Sequence, residues 1–190
     1  MKAGTNFLLA AATLGAVVTN TTQAHAQMKG TNSVGAEVTI QDGTSFGING
    51  KFGASEGFSI RPRVLFSATK KGTGQVAGIT ASGTEFGVAA TFDFKPSSSI
   101  EGGKSPTIFL GPEVAFWNGN GRVGTTEFTV NSTIISVITG VEYPVNESVD
   151  LMAKLTLPLS SSATGSGGGQ SRSGDLAKNV GFSFGAAFKF

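Results

Sequence analysis

Glu85 and Glu113 are carboxylates of the kind that could share acid–base work. Arg61 and Arg63, one residue apart, could clamp a carboxylate through paired N–H donors. Neither set finds the partner that such chemistry needs. The chain has no Cys, and its single His is His25, inside an N-terminal segment read below as an export signal. Without imidazole or thiolate there is no Ser–His pair, no usual general base and no soft metal ligand. Clustered acids and bases are far more often structural ion pairs than catalysts. The sequence is therefore read as no enzyme, with no cofactor and no metal site. Gly102-Gly103-Lys104-Ser105 has the tail of a phosphate-binding loop. The motif's first Gly is missing and no helix follows, so it is set aside.

The elements that hold these charges are strands. Most of the chain alternates apolar and polar residues, broken by clusters of Gly, Ser, Asn and Asp. Alternation sends successive side chains to opposite faces. Eight stretches carry it: Ser33–Ile40, Ser45–Gly53, Phe58–Ser67, Thr84–Phe94, Thr107–Trp117, Ile135–Val145, Val149–Leu159 and Val180–Phe190. One face of each is apolar, as in Phe46, Ile48, Gly50 and Phe52. The other face carries Glu37, Lys51, Arg61, Arg63, Glu85, Asp93, Glu113, Glu142, Asp150, Lys154 and Lys189. All of these charges fall on the same side of their strands, so one face meets something apolar along its whole length.

Two environments would do that: the core of a soluble secreted β-sandwich, or lipid around a barrel. The aromatics favour lipid. Phe46 and Phe52, Phe58 and Phe66, Phe86 and Phe92, and Phe182 and Phe190 stand near the two ends of their strands, with smaller apolar residues between. Rings at both ends of an apolar band are what the interfacial girdles of a membrane barrel require. Phe46-Gly47, Phe86-Gly87 and Phe184-Gly185 each precede another Phe by the same six-residue spacing, which spans about 20 Å of strand. The expected fold is all-β, an eight-stranded antiparallel up-and-down transmembrane β-barrel.

The composition agrees. Charged residues are 14% of the chain, the net charge is +2, and no basic cluster exceeds Lys70–Lys71, so no nucleic-acid partner is expected. Lys2, the apolar stretch Phe7 to Val18 and Ala24-His25-Ala26 read as a cleaved signal peptide over residues 1–26, leaving 27–190 as the barrel. The apolar stretch is too short to span a membrane as a helix, which takes about 20 residues.

Short connections are expected at Gln41–Thr44, Ala54–Gly57 and Pro144–Ser148. Longer ones are expected at Ala68–Gly78, Lys95–Pro106, Asn118–Thr125 and Ser160–Lys178, the last Ser/Gly-rich and read as mobile. Pro62 and Pro112 cannot donate to a ladder, so bulges are expected there. In the sixth stretch the apolar side changes from Phe128 and Val130 to the odd positions from Ile135 on. A bulge near Ser132–Ile134, or an extension beyond the membrane, would account for it.

The last stretch, Val180-Gly-Phe-Ser-Phe-Gly-Ala-Ala-Phe-Lys-Phe190, resembles the C-terminal signal of outer-membrane β-barrel proteins. Phe182, Phe184, Phe188 and Phe190 match its alternate apolar positions and its terminal aromatic. With the signal peptide and the strand number, the mature chain is similar to OmpA/OmpX-type or opacity-type small barrels over its whole length. The resemblance implies residence in the bacterial outer membrane, with outer-membrane lipid and the assembly machinery that reads the last strand as partners. An eight-stranded interior is just wide enough for side chains to fill it. Glu37, Lys51, Arg61, Arg63, Glu85, Glu113, Glu142 and Lys154 are thus expected to form a lumen charge network. Near-balanced charge favours a closed polar plug, and a structural or surface-interaction role in the envelope. The alternatives are a narrow porin-like channel for ions or small solutes, and the soluble sandwich as a binding module.

Overall fold

The computed structural model describes residues 31–73, 79–96, 105–123 and 125–190; the expected signal peptide and Gly102–Lys104 lie outside them. The described residues form nine strands: β1 (Ser33–Ile40), β2 (Thr44–Ser55), β3 (Phe58–Thr73), β4 (Thr80–Phe94), β5 (Thr107–Val123), β6 (Thr126–Pro144), β7 (Val149–Gly167), β8 (Gln170–Leu176) and β9 (Gly181–Lys189). Every pairing is antiparallel. Neighbours in sequence pair from β1 to β7, then β7 pairs β9 and β9 pairs β1. That closes an eight-stranded ring, and the described residues form no second sheet for a sandwich. The sandwich alternative is thereby overturned.

Alternation becomes inside and outside. On β5, Ile108, Leu110, Val114 and Phe116 are exposed, while Phe109, Glu113, Ala115 and Trp117 are buried. Around the ring the exposed set includes Phe46, Phe86, Phe92, Phe182, Phe184 and Phe188, the last 63% accessible. An apolar exterior around charged, buried residues inverts a soluble domain and matches a barrel whose solvent is lipid.

The ninth strand changes the upper part. β8 stands outside the eight-stranded ring. It pairs β7 from Ala163↔Gly174 to Gly167↔Gln170, and β3 at Gly72↔Leu176 and Thr73↔Asp175. At one end, where the β1–β2 turn stops short, the wall is therefore a smaller ring of β3, β4, β5, β6, β7 and β8. The segment Ser160–Lys178, expected as a mobile loop, is instead the upper part of β7, a Gly168–Gly169 turn with both residues at positive φ, and β8. Most of Asn118–Thr125 is likewise strand, with β5 running to Val123, and β6 starts at Thr126. Much of Ala68–Gly78 is the top of β3.

The bulges are not at the prolines. β3 keeps register with β4 through Pro62↔Val88, and β5 keeps register with β6 through Pro112↔Val137. The missing N–H instead leaves a gap in the other ladder, opposite Gly50–Lys51 and opposite Ala90–Thr91. Register shifts occur between Leu65 and Ala68, where Ser67 has φ 56°, opposite Ile135/Ser136, where Leu159 is the extra residue of β7, and near Ser55. The first two reverse the parity of the strand above them. β6 has no shift against β5, and its even residues point inward from Phe128 to Glu142. Of the two accounts of that strand, the extension is the correct one.

Candidate functional site

Nearly all of the ion pairs among the described residues lie in the lumen, the exposed Arg122–Glu127 pair apart. β3 supplies its axis, because Arg61 and Arg63 both lie on the inward parity of one strand. At the end with the short turns, Arg61 donates from Nε to Thr91 Oγ1 at 2.9 Å and from Nη2 to Asp93 at 3.1 Å, and it pairs with Glu142 through Nη1. Lys51 lies 3.0 Å from Asp93 and 2.8 Å from Glu142. The Arg61 guanidinium also sits 4.0 Å from the Phe109 ring centre, a cation–π contact that covers its face. Lys189 pairs with Asp150 at 2.9 Å nearer the rim.

A second ionic layer lies above. Arg63 donates to both oxygens of Glu113 at 2.8 Å and to Glu85 at 2.5 Å. Lys154 holds both oxygens of Glu37, which also accepts from Asn49 at 3.0 Å. Glu37, Lys51, Arg61, Arg63, Glu85, Glu113, Glu142 and Lys154, and with them Asp93, Asp150 and Lys189, each have a partner of opposite charge.

One member was missed. Lys70 is buried and lies 2.9 Å from Glu85 Oε2, off the line of a hydrogen bond that this oxygen otherwise lacks. It donates to Gln41 Oε1 at 2.6 Å. Counted on strand parity, Lys70 points outward; the bulge at Ser67 turns it in. With Lys70 the inward acids and bases are equal in number, six against six.

Above the ions the interior becomes apolar. Leu65, Ala68, Ile79, Ala81, Ala115, Trp117, Phe128, Val130, Ile134, Ala163 and Leu176 form one buried cluster, from Leu65 opposite Gly47 of β2 up into the six-stranded part. Trp117 is 2% exposed and donates from Nε1 to the Ala68 carbonyl at 3.0 Å. The sequence signal for this layer was present in the inverted pair Phe128 and Val130.

The space left among the charged side chains narrows upward. A vestibule of about 330 Å³, lined in part by Lys51, Asp93, Asp150 and Lys189, opens at the short-turn end. Between Glu37, Arg63, Glu113 and Lys154 the free volume falls to about 20 Å³, room for about one water. Phe182, Phe184, Phe188 and Phe190 are exposed on the outside of the closing strand or at its end, away from the lumen.

No family model matches this chain, and no curated protein matches it in sequence. Among solved structures it is similar to the N-terminal β-barrel domain of OprF from Pseudomonas aeruginosa, with 14% identity, TM-score 0.57, and coverage of 86% of this chain and 100% of that one. It is also similar to a major outer membrane protein from Thermus thermophilus, with 14% identity, TM-score 0.54, and coverage of 84% and 98%. The E. coli outer membrane protein W matches with 14% identity, TM-score 0.52, and coverage of 86% and 100%. At this identity the likeness is one of fold: the chain has the architecture of small outer-membrane β-barrels.

Proposed function

We propose that this protein is an outer-membrane β-barrel with a closed lumen and a structural or surface-interaction role in the cell envelope. The observation that carries the reading is the double filling of the interior: a charge-balanced ionic network, then a packed apolar cluster around Trp117. A conducting path would need continuous water, and both layers exclude it. The vestibule is blind above Arg63. The carboxylates Glu85 and Glu113 are each engaged by bases, so the reading assigns them to structure and not to catalysis.

In this reading the β2–β3 and β6–β7 turns and both chain ends face the periplasm, and the tall β5–β6 and β7–β8 hairpins face outward, as does the short β1–β2 turn. The Phe-rich outer face of β9 is the element that the assembly machinery would recognise, and residues 1–26 the segment removed on export. The test is fractionation of cells followed by electrophoresis with and without boiling, then conductance in a planar bilayer. An outer-membrane band that shifts on boiling and carries no current is expected. A soluble band of single mobility would refute the membrane assignment, and steady single-channel currents would refute the closed lumen.

A further inference from the structure

Trp117 is followed by Asn-Gly-Asn-Gly-Arg122, a run that reads as a turn and that the structure makes strand. Asn and Gly are depleted in strands, so this stretch of β5 carries a local cost. The glycines have a packing reason. A Cβ at Gly119 would lie 2.4 Å from the Trp117 ring, and one at Gly121 would lie 2.5 Å from the Thr80 carbonyl oxygen. Asn118 and Asn120 point the other way and are exposed, so they add nothing to the interior.

The register aligns them with their neighbours. Thr84, Asn118, Asn131 and Thr164 are paired in turn across β4, β5, β6 and β7. One side-chain repeat farther up, Ser82, Asn120, Thr129 and Ser166 form a second such row. All of these residues are exposed, while Trp117, Phe128, Val130 and Ala163 between them are buried, so both rows stand on one outer face. Asn118 donates to Asn131 Oδ1 at 2.6 Å, and Thr129 Oγ1 donates to Asn120 Oδ1 at 3.0 Å. Each amide has donor and acceptor positions beyond the one that its bond uses. An open depression of about 660 Å³ lies at the second row, lined mostly by the outward Asn120, Arg122, Glu127, Thr129 and Ser166. Arg122 donates from Nε to Glu127 at 3.0 Å, so the two charges of this lining cancel.

The chemistry of the face selects its occupant. Hydroxyl and amide groups both donate and accept, as the hydroxyls of a sugar do. Without net charge the rows do not favour a phosphate or a carboxylate. Neither row holds the aromatic or Arg anchor of a protein interface. Continuity with the lipid-facing wall then names the source. The exposed Phe86–Phe116 pair lies one repeat below Thr84–Asn118. Two strand residues rise about 7 Å, or about 5 Å once barrel strands tilt. The first row therefore falls in the headgroup layer, which reaches about 5–8 Å beyond the hydrocarbon, and the second stands just above it. We infer that this face of β4–β7 binds the saccharide headgroup of a glycolipid in the outer leaflet, a reading that rests on the proposed membrane orientation. The acyl chains lie on the phenylalanines and the sugars on the two rows.

The test uses the folded full barrel, carrying isotope-labelled asparagine, in dodecylphosphocholine micelles. Its side-chain amide signals are followed by NMR during titration with decyl maltoside. Pentaethylene glycol monodecyl ether, with the same chain and no sugar, and free maltose are the comparison ligands. Decyl maltoside is expected to shift the Asn118, Asn120 and Asn131 amides saturably and to leave Asn146, in the turn at the opposite end, unmoved. The ether should shift none of them. Maltose should need about tenfold or more higher concentration, because no chain holds it at the wall. Thr129→Val removes one hydroxyl and should raise the half-saturating concentration of decyl maltoside about fivefold, the effect of one lost hydrogen bond. An equal response to the ether, or no saturable response, overturns the inference. Maltose acting at the same concentration as decyl maltoside overturns it in favour of a free saccharide. Shifts of the same amides on raising the barrel concentration without sugar assign the face to a second copy instead. The heat-dependent gel shift reports folding separately. A heat-shifted wild type without the sugar response removes this site alone; no heat shift removes the membrane reading and the site with it.

Discussion

Replacing Arg63 by Met keeps most of the side-chain volume and removes the charge. In the native lumen Arg63 makes two hydrogen bonds to Glu113 and one to Glu85, all between groups no more than 6% exposed. Glu85 would keep Lys70, but Glu113 would lose the guanidinium that binds both of its oxygens. Breaking a buried pair from one side costs about 3–5 kcal/mol, because a charge is left without compensation. Arg63→Met is therefore expected to destabilise the barrel by that amount. Removing both charges with Arg63→Met and Glu113→Leu should recover most of it, since an apolar pair of similar volume is often neutral in such a site. The non-additivity should be about 3 kcal/mol. Urea unfolding of the barrel in lipid vesicles, followed by the single Trp117 and by the gel shift, measures both. Neither variant should conduct, because the apolar layer above is untouched. A single-variant cost under about 1 kcal/mol would mean that water already solvates the network. A current through Arg63→Met would mean that the ions, not the apolar layer, are the barrier. Either result would refute the layered lumen.

Trp117→Ala should cost about 3–5 kcal/mol, followed in urea by the gel shift, and should still carry no current in planar-bilayer recording, because the ionic layer below it remains. Lys70→Met should cost about 1–3 kcal/mol in the same urea assay, because Glu85 Oε2 then has no cation beside it. Gly111→Val should give no heat-shifted band at all, since even a Cβ at Gly111 would lie 1.9 Å from the Ala90 carbonyl oxygen. Gly169→Ala has open space but φ +75°, so it should fold with a loss of about 1 kcal/mol in urea titration.

The lower half of the barrel was legible because two simple rules act together there. Lipid requires every outward residue to be apolar, and the filled lumen collects charge. Period two in the sequence then reads directly as outside and inside, and Arg61, Glu113 or Lys154 cannot be misplaced. Above the membrane both rules lapse. Outward positions such as Asn118, Asn120, Thr129 and Asn131 face water, and inward ones such as Trp117, Phe128 and Val130 are apolar. A strand with small polar residues and Gly119 and Gly121 on it looks like a loop, and only its pairing across the sheet makes it a strand. Lys70 was lost for a different reason. The parity change at Ser67 comes from a non-Gly residue at positive φ, which no residue type announces. The prolines misled because a missing donor can be absorbed as a gap in one ladder while the other ladder holds register.

The insertion of β8 means that the wall is joined along two different lines. The lower wall is closed where the last strand meets the first, from Ser33↔Lys189 to Ile40↔Phe182. The upper wall is closed elsewhere, where β8 meets β3 at Gly72 and Thr73. The two seams are offset around the circumference, like joints in successive courses of brickwork. A sideways pull that unzips β1 from β9 still meets an intact upper hoop, and loss of the short upper seam leaves the lower one whole. Splitting this barrel from top to bottom therefore requires two separate breaks.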